Sequence, residues 1–270
     1  MGLDEAKDRI HNWTPLNRAL FDGNIELSRI LLERDPDFTG QADGWFDAFA
    51  VALLGRSAEA IRLLLENGLD VSAKDGDGLT FLHVSTMAGH VEAVRMLLEH
   101  GADTTAQDNM GYTALHLAAV EGRADVAGLL LEHGADVVAK NNDGRTPLHC
   151  TAWRGYVDVA RLLLDHGSDA TVQDDKGLTP LHRAALRGEV EVARLLFEHG
   201  ADLTAKDDDG RTPLHHAAYK GQVDFVRLLL ERGADATAKA NNGQTPLVMA
   251  SRRGSRHRPS WASWTCNCLG

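Results

Sequence analysis

Thirteen histidines and three cysteines are the residues of this chain best suited to holding a metal or carrying a proton. Nine of the histidines fall on two ladders that step by 33 residues: His83, His116, His149, His182 and His215, then His100, His133, His166 and His199. A metal ion needs several ligands converging at about 2 Å. Equivalent residues of successive 33-residue units stand about a helix pair apart, so neither ladder gathers around one ion. The first ladder sits one turn after a Thr, where an imidazole can tie neighbouring loops by hydrogen bonds. The second falls at helix C-termini, where the dipole favours positive charge. His215 and His216 are adjacent, so they point to different faces of a helix. Cys266 and Cys268 lack a second ligand pair. No nucleophile triad, phosphate loop or paired carboxylate rises above the repeat background. The expectation is no catalysis, no cofactor and no metal.

The elements that carry these ladders are written in a recurring phrase. Gly-x-Thr-Pro-Leu-His stands at Gly144–His149, Gly177–His182 and Gly210–His215, with looser copies at Thr14, Thr80, Thr113 and Thr245. Such a period marks a stacked repeat array, which is one continuous architecture rather than two ordinary domains. Residues 143–175 give the physics of one copy. Asp143-Gly144 is a turn signal, Thr146 suits the helix N-cap, and Pro147 suits the first helical position. Leu148, Thr151 and Ala152 follow at helical spacing, and Gly155 ends this short helix. A second helix from Tyr156 carries Val157, Val159, Ala160, Leu162, Leu163 and Leu164 as a broad apolar stripe and stops at Gly167. The segment 168–176 is left as an extended finger.

Composition agrees with a folded, ordinarily globular chain: 43% hydrophobic and 25% charged residues. All 39 acidic residues lie within residues 1–235, together with 23 of the 28 basic ones, so that part carries −16 and the last 35 residues carry +5. The net charge of −11 argues against general nucleic-acid binding. Three cysteines make no disulfide framework, and the first residues lack the basic-then-apolar layout of a signal peptide. Ala6 stands where a myristoylation signal needs Ser or Thr, and no apolar stretch is long enough to span a bilayer. The expected setting is a reducing compartment, cytoplasmic or nuclear, without membrane attachment.

Turn, helix, tight turn, helix and finger, written with Thr-Pro-Leu-His, Gly155, Val159, Leu163-Leu164 and the Gly-Ala-Asp phrases at Gly134, Gly200 and Gly233, closely resemble the ankyrin repeat. The resemblance runs over residues 12–254. It implies an all-α solenoid of about eight helix-turn-helix repeats with β-hairpin fingers. The repeats lie near 12–43, 44–77, 78–110, 111–143, 144–176, 177–209, 210–242 and, in part, 243–254; residues 1–11 form an N-terminal segment. The second copy has Phe46-Asp-Ala-Phe49 in place of the Thr-Pro phrase. The slot where many ankyrin repeats carry a hydroxylatable Asn holds Thr105, Val138, Thr171, Thr204 and Thr237, so that modification is not expected. Residues 255–270 break the pattern and are expected to be poorly ordered. Read one nucleotide later with suitable codons, Ser255–Trp261 gives Val-Asp-Ile-Val-Arg-Leu, close to Val223–Leu228. The tail is thus either a shifted repeat or a native basic-aromatic appendage.

The resemblance also implies a non-catalytic protein-interaction scaffold or adaptor that binds through a concave face of fingers and first helices. Positions that vary within the fixed phrase are the candidates for recognition. Two slots before the helix-turn Gly read Val120-Glu121, Trp153-Arg154, Leu186-Arg187, Tyr219-Lys220 and Arg252-Arg253. Fingertip slots add Tyr112, Arg145, Leu178 and Arg211. The expected partner surface is Tyr112, Arg145, Trp153, Arg154, Leu186, Arg187, Arg211, Tyr219, Lys220 and Arg253. Trp, Tyr and Arg dominate interface hot spots, and a basic-aromatic groove on an acidic body suits an acidic protein segment. The expected state is a monomer, although a bare final helix offers a surface for self-association. The runners-up are a nuclear transcription co-regulator, with Arg252–Arg258 as its signal, and a fragment of a larger ankyrin-containing protein.

Overall fold

A computed structural model describes residues 13–34 and 42–251. The expectations for Arg253, the Cys266/Cys268 pair and the tail 255–270 lie outside the described residues. The chain divides into two compact units, Met1–Asn142 and Asp143–Gly270.

The described residues of the first unit form four helix pairs: α1 (Pro15–Phe21) with α2 (Ile25–Arg34), α3 (Ala42–Leu54) with α4 (Ala58–Glu66), α5 (Phe81–Ala88) with α6 (Val91–Glu99), and α7 (Ala114–Glu121) with α8 (Ala124–Glu132). The second unit holds α9 (Pro147–Arg154) with α10 (Val157–Asp165), α11 (Pro180–Arg187) with α12 (Val190–Glu198), α13 (Pro213–Lys220) with α14 (Val223–Glu231), and α15 (Pro246–Ser251). In each unit the first helices stack on one another and the second helices do likewise: α1, α3, α5 and α7 beside α2, α4, α6 and α8, then α9, α11, α13 and α15 beside α10, α12 and α14. This is an all-α repeat fold of the solenoid class.

Each short first helix is set by its ends. Thr80, Thr113, Thr146, Thr179 and Thr212 are extended N-caps, and Pro follows three of them at the first helical position. The repeat His stands at the third helical position and closes a capping box, the place where Glu or Gln ordinarily sits. In α3, without this phrase, Phe46 stacks on Phe81 at 4.2 Å and Phe49 tilts against the same ring at 4.8 Å, so aromatic rings join this helix to the next first helix.

The same histidines join neighbouring repeats. His149 Nδ1 accepts from the Thr146 backbone N–H at 3.2 Å, and its Nε2 lies 3.0 Å from the Leu178 carbonyl, 29 residues on. His83 bridges Thr80 to the Tyr112 carbonyl, His182 bridges Thr179 to the Arg211 carbonyl, and His215 bridges Thr212 to the Gln244 carbonyl. An Nδ1 that accepts a backbone N–H carries no proton, so Nε2–H is the donor and the ring is neutral. Burial holds His149 down at about 4. Burial and the neighbouring His216 hold His182 at about 3. Burial lowers His83 and His215 in the same direction.

The fingers are tighter than the expected hairpins. Among the described residues the single β-bridge is Lys74 with Thr80. Four further fingers close on one antiparallel bond, such as Asp174 N–H to the Leu178 carbonyl at 2.9 Å with a turn ending in Gly177. Successive fingers are linked by one backbone bond, as from Asp208 N–H to the Lys176 carbonyl at 3.2 Å, and by side-chain amides such as Asn142 Nδ2 to the Asn109 carbonyl at 3.0 Å. One bond per finger is too little ladder for strands.

Two outcomes follow from these contacts. Gly177 has φ +71°, and a Cβ there would meet the Asp208 backbone nitrogen at 2.9 Å, whereas Gly200, at φ +81°, has nothing within 4 Å. Gly200→Ala should therefore cost about 1–2 kcal/mol of left-handed strain, and Gly177→Ala clearly more; equal losses in chemical denaturation would contradict this. The second outcome concerns pH. The unfolded imidazoles titrate near 6.5 while folded His149 and His182 titrate lower, so the unfolded chain binds more protons in between. Their contribution to stability is whole above about pH 6.5 and is lost as pH falls toward about 4 and then about 3. The urea midpoint should fall across that window, and His149→Gln should flatten the fall; a midpoint independent of pH there would contradict it.

Candidate functional site

The residues before the helix-turn glycines form a row in the second unit. Gly155, Gly188 and Gly221 cap α9, α11 and α13 in the left-handed conformation, each returning its N–H to the helix. The pairs Trp153-Arg154, Leu186-Arg187 and Tyr219-Lys220 therefore occupy the last turns of stacked neighbours. There the helix dipole favours their positive charges. The Arg187 guanidinium lies 5.1 Å from the centre of the Trp153 ring, a cation–π contact from one repeat to the next. Arg154 and Arg187 are exposed, and Trp153, Leu186, Tyr219 and Lys220 are half-buried. This row presents apolar rings and cations to solvent side by side.

The fingertip candidates are used by the fold. Tyr112, in the first unit, is buried with its ring edge-on to His116 at 5.6 Å, so its ring packs within the fold. Leu178 is likewise buried. Arg145 pairs with Asp143 at 3.0 Å and lies 4.0 Å from Asp174, with little of its side chain exposed. Arg211 pairs with Asp209 at 2.7 Å and is similarly sheltered. Both arginines thus have acid neighbours of their own chain.

Sequence reasoning missed a second line of polar residues one position after the repeat His. Arg183 is buried and ion-paired with the buried Asp174. Burial raises the Asp174 carboxyl, but the Arg183 guanidinium and donated backbone bonds outweigh it and leave the group below its ordinary value. In the next repeat His216 Nε2 meets Asp207 Oδ2 at 2.7 Å, and the His216 ring stands edge-on to His182 at 5.6 Å. The legible signal was a pairing nine residues apart, Asp174 with Arg183 and Asp207 with His216, at positions that vary between copies. Cys150 fills the same slot one repeat earlier, and burial pushes its thiol up to about 11. Such a thiol offers no thiolate for nucleophilic chemistry near neutral pH.

The slot that holds Thr in place of the hydroxylatable Asn has its own structural use. Asp103, Asp169, Asp202 and Asp235 each accept from the backbone N–H and hydroxyl of the Thr two residues on. These bonds lower the carboxyls of Asp103 and Asp169. Among the described residues no group of three His, Cys, Asp or Glu side chains is placed to hold a metal, and no helix is long and apolar enough to cross a membrane.

A family model described as ankyrin repeats (3 copies) matches residues 48–141 and 138–207, and another described as ankyrin repeats (many copies) matches residues 199–250. Together they span well over half of the chain. No curated protein matches it.

Proposed function

Because this chain belongs to the ankyrin-repeat family, whose repeats are generally protein–protein interaction modules, we propose that it is a non-catalytic scaffold or adaptor. It binds its partner protein along the row formed by Trp153, Arg154, Leu186, Arg187, Tyr219 and Lys220, and the segment it takes is acidic. The observation that carries this reading is the Arg187 guanidinium held over the Trp153 ring on exposed last turns. Holding the cation on the ring reduces the side-chain freedom it would lose on meeting a carboxylate. The surrounding body is acidic, so this row of cations stands out as the place where an acidic chain is attracted rather than repelled. Arg145 and Arg211 add positive charge at the fingers only as members of their own ion pairs.

The basic run Arg252-Arg253-Gly-Ser-Arg256-His-Arg258 favours a second setting for the same surface, a nuclear co-regulator acting through protein contacts. A tagged chain with and without residues 251–270 separates the two settings: nuclear entry lost with the run supports the co-regulator, and unchanged distribution supports the general adaptor.

A pull-down from native lysate read by mass spectrometry, comparing the wild type with Arg154→Glu/Arg187→Glu/Lys220→Glu, should capture a partner with the wild type alone. Against that partner, Trp153→Ala should cost about 2 kcal/mol of affinity and leave the thermal midpoint nearly unchanged. A partner held equally by the triple variant, or a Trp153 variant that loses stability and keeps its affinity, contradicts the assignment of the row.

A further inference from the structure

The row of cations in the second unit repeats at a fixed step, and that step selects the backbone of a chain that can follow it. Arg154, Arg187 and Lys220 hold the same place in α9, α11 and α13, which stack on one another in turn. Packed helices stand about 8–10 Å apart, so the three cations recur at about that interval. Among the described residues of the second unit, Arg145, Arg183, Arg194, Arg211 and Arg227 pair with acids of their own chain, whereas Arg154 and Arg187 do not. Both are exposed. Trp153, Leu186 and Tyr219 recur at the same step beside the cations.

The regular backbones meet this step unequally. A β-strand returns a side chain to one face every two residues, about 6.6 Å, or every four, about 13 Å, and neither matches. An α-helix returns one after seven residues, about 10.5 Å. Three acids then need about 15 residues, a length at which an isolated helix is marginal in water. A polyproline-II segment has three residues per turn and rises about 3.1 Å per residue, so every third side chain lies on one face at about 9 Å. A stretch of about seven residues then presents three acids. Its backbone is ordered before binding, and proline-rich segments of this kind dock on aromatic-lined surfaces. We infer that the partner segment is a polyproline-II stretch with an acidic residue at every third position. Its carboxylates meet Arg154, Arg187 and Lys220, and residues between them lie against Trp153, Leu186 and Tyr219. The inference rests on the row being the partner site, and adds the conformation and spacing of what binds there.

Fluorescence anisotropy of labelled peptides against the full chain tests this. The periodic peptide is Glu-Pro-Pro-Glu-Pro-Pro-Glu, and the clustered peptide, of equal composition and charge, is Pro-Pro-Glu-Glu-Glu-Pro-Pro. A third is an alanine-based helical peptide with the same three acids spaced by seven. The periodic peptide should bind about fivefold more tightly than the clustered one, which can satisfy fewer of the exposed cations at once. Replacing its central Glu by Gln should weaken binding to the wild type and to Arg154→Gln, and should change nothing for Arg187→Gln, whichever way the peptide runs. Circular dichroism checks that both variants are folded. Equal binding of the periodic and clustered peptides, or a central Glu that does not couple to Arg187, overturns the spacing and leaves the row as a site for acidic chains. Tighter binding of the helical peptide overturns the polyproline-II conformation. Binding of none of the three overturns this inference together with the acidic-partner reading it rests on.

Discussion

The rest of this structure depends on an imidazole that must be neutral. His83, His149, His182 and His215 each accept a backbone N–H at one ring nitrogen and donate from the other to a carbonyl of the next repeat. Two orphan groups, a helix N-terminal N–H and a finger carbonyl, are satisfied by one buried side chain. Protonating Nδ1 would remove the acceptor and place a charge where burial already pushes the ring far below its ordinary range. The bond spans 29 residues but only one repeat step, so it couples neighbours and leaves distant repeats independent.

Because the core of each repeat is fixed by Thr, Pro, Leu, His, small residues and capping glycines, the remaining positions are free to differ. Two lines of variation result in the second unit. One turns inward and becomes polar pairs, the ion pair of Arg183 with Asp174 and the hydrogen bond of His216 with Asp207. Removing one partner of such a pair leaves a buried charge unmatched, so this line constrains the fold. The other, from Trp153 to Lys220, lies half-buried to exposed at the helix ends.

Most of the architecture was legible in the sequence because the period states it many times over. Thr146, Pro147, His149 and Gly155 each have a local job whose chemistry is visible without coordinates. The fingers were less legible, since Asp174 and Gly177 signal a turn without saying how few backbone bonds close it. The alignment of the candidate row was also legible. Trp153, Arg154, Leu186, Arg187, Tyr219 and Lys220 do stand in one row, because the register alone aligns them. The settings of Tyr112, Arg145 and Arg211 were not legible, because the burial of Tyr112 and the ion pairs of the two arginines arise from neighbours around the finger. The Asp174–Arg183 pair was missed for the opposite reason: two charged residues nine apart look like surface until the fold closes over them.

The most direct test of the neutral, two-ended histidine is a nitrogen-15 NMR titration of the imidazoles in the folded full chain. The account predicts that His83, His149, His182 and His215 show the Nε2–H tautomer, with an unprotonated Nδ1, and keep it as the pH falls through about 6.5, the ordinary imidazole value. Imidazolium signals from these four rings near that pH would contradict it, because the repeats would then be joined by something other than this bond.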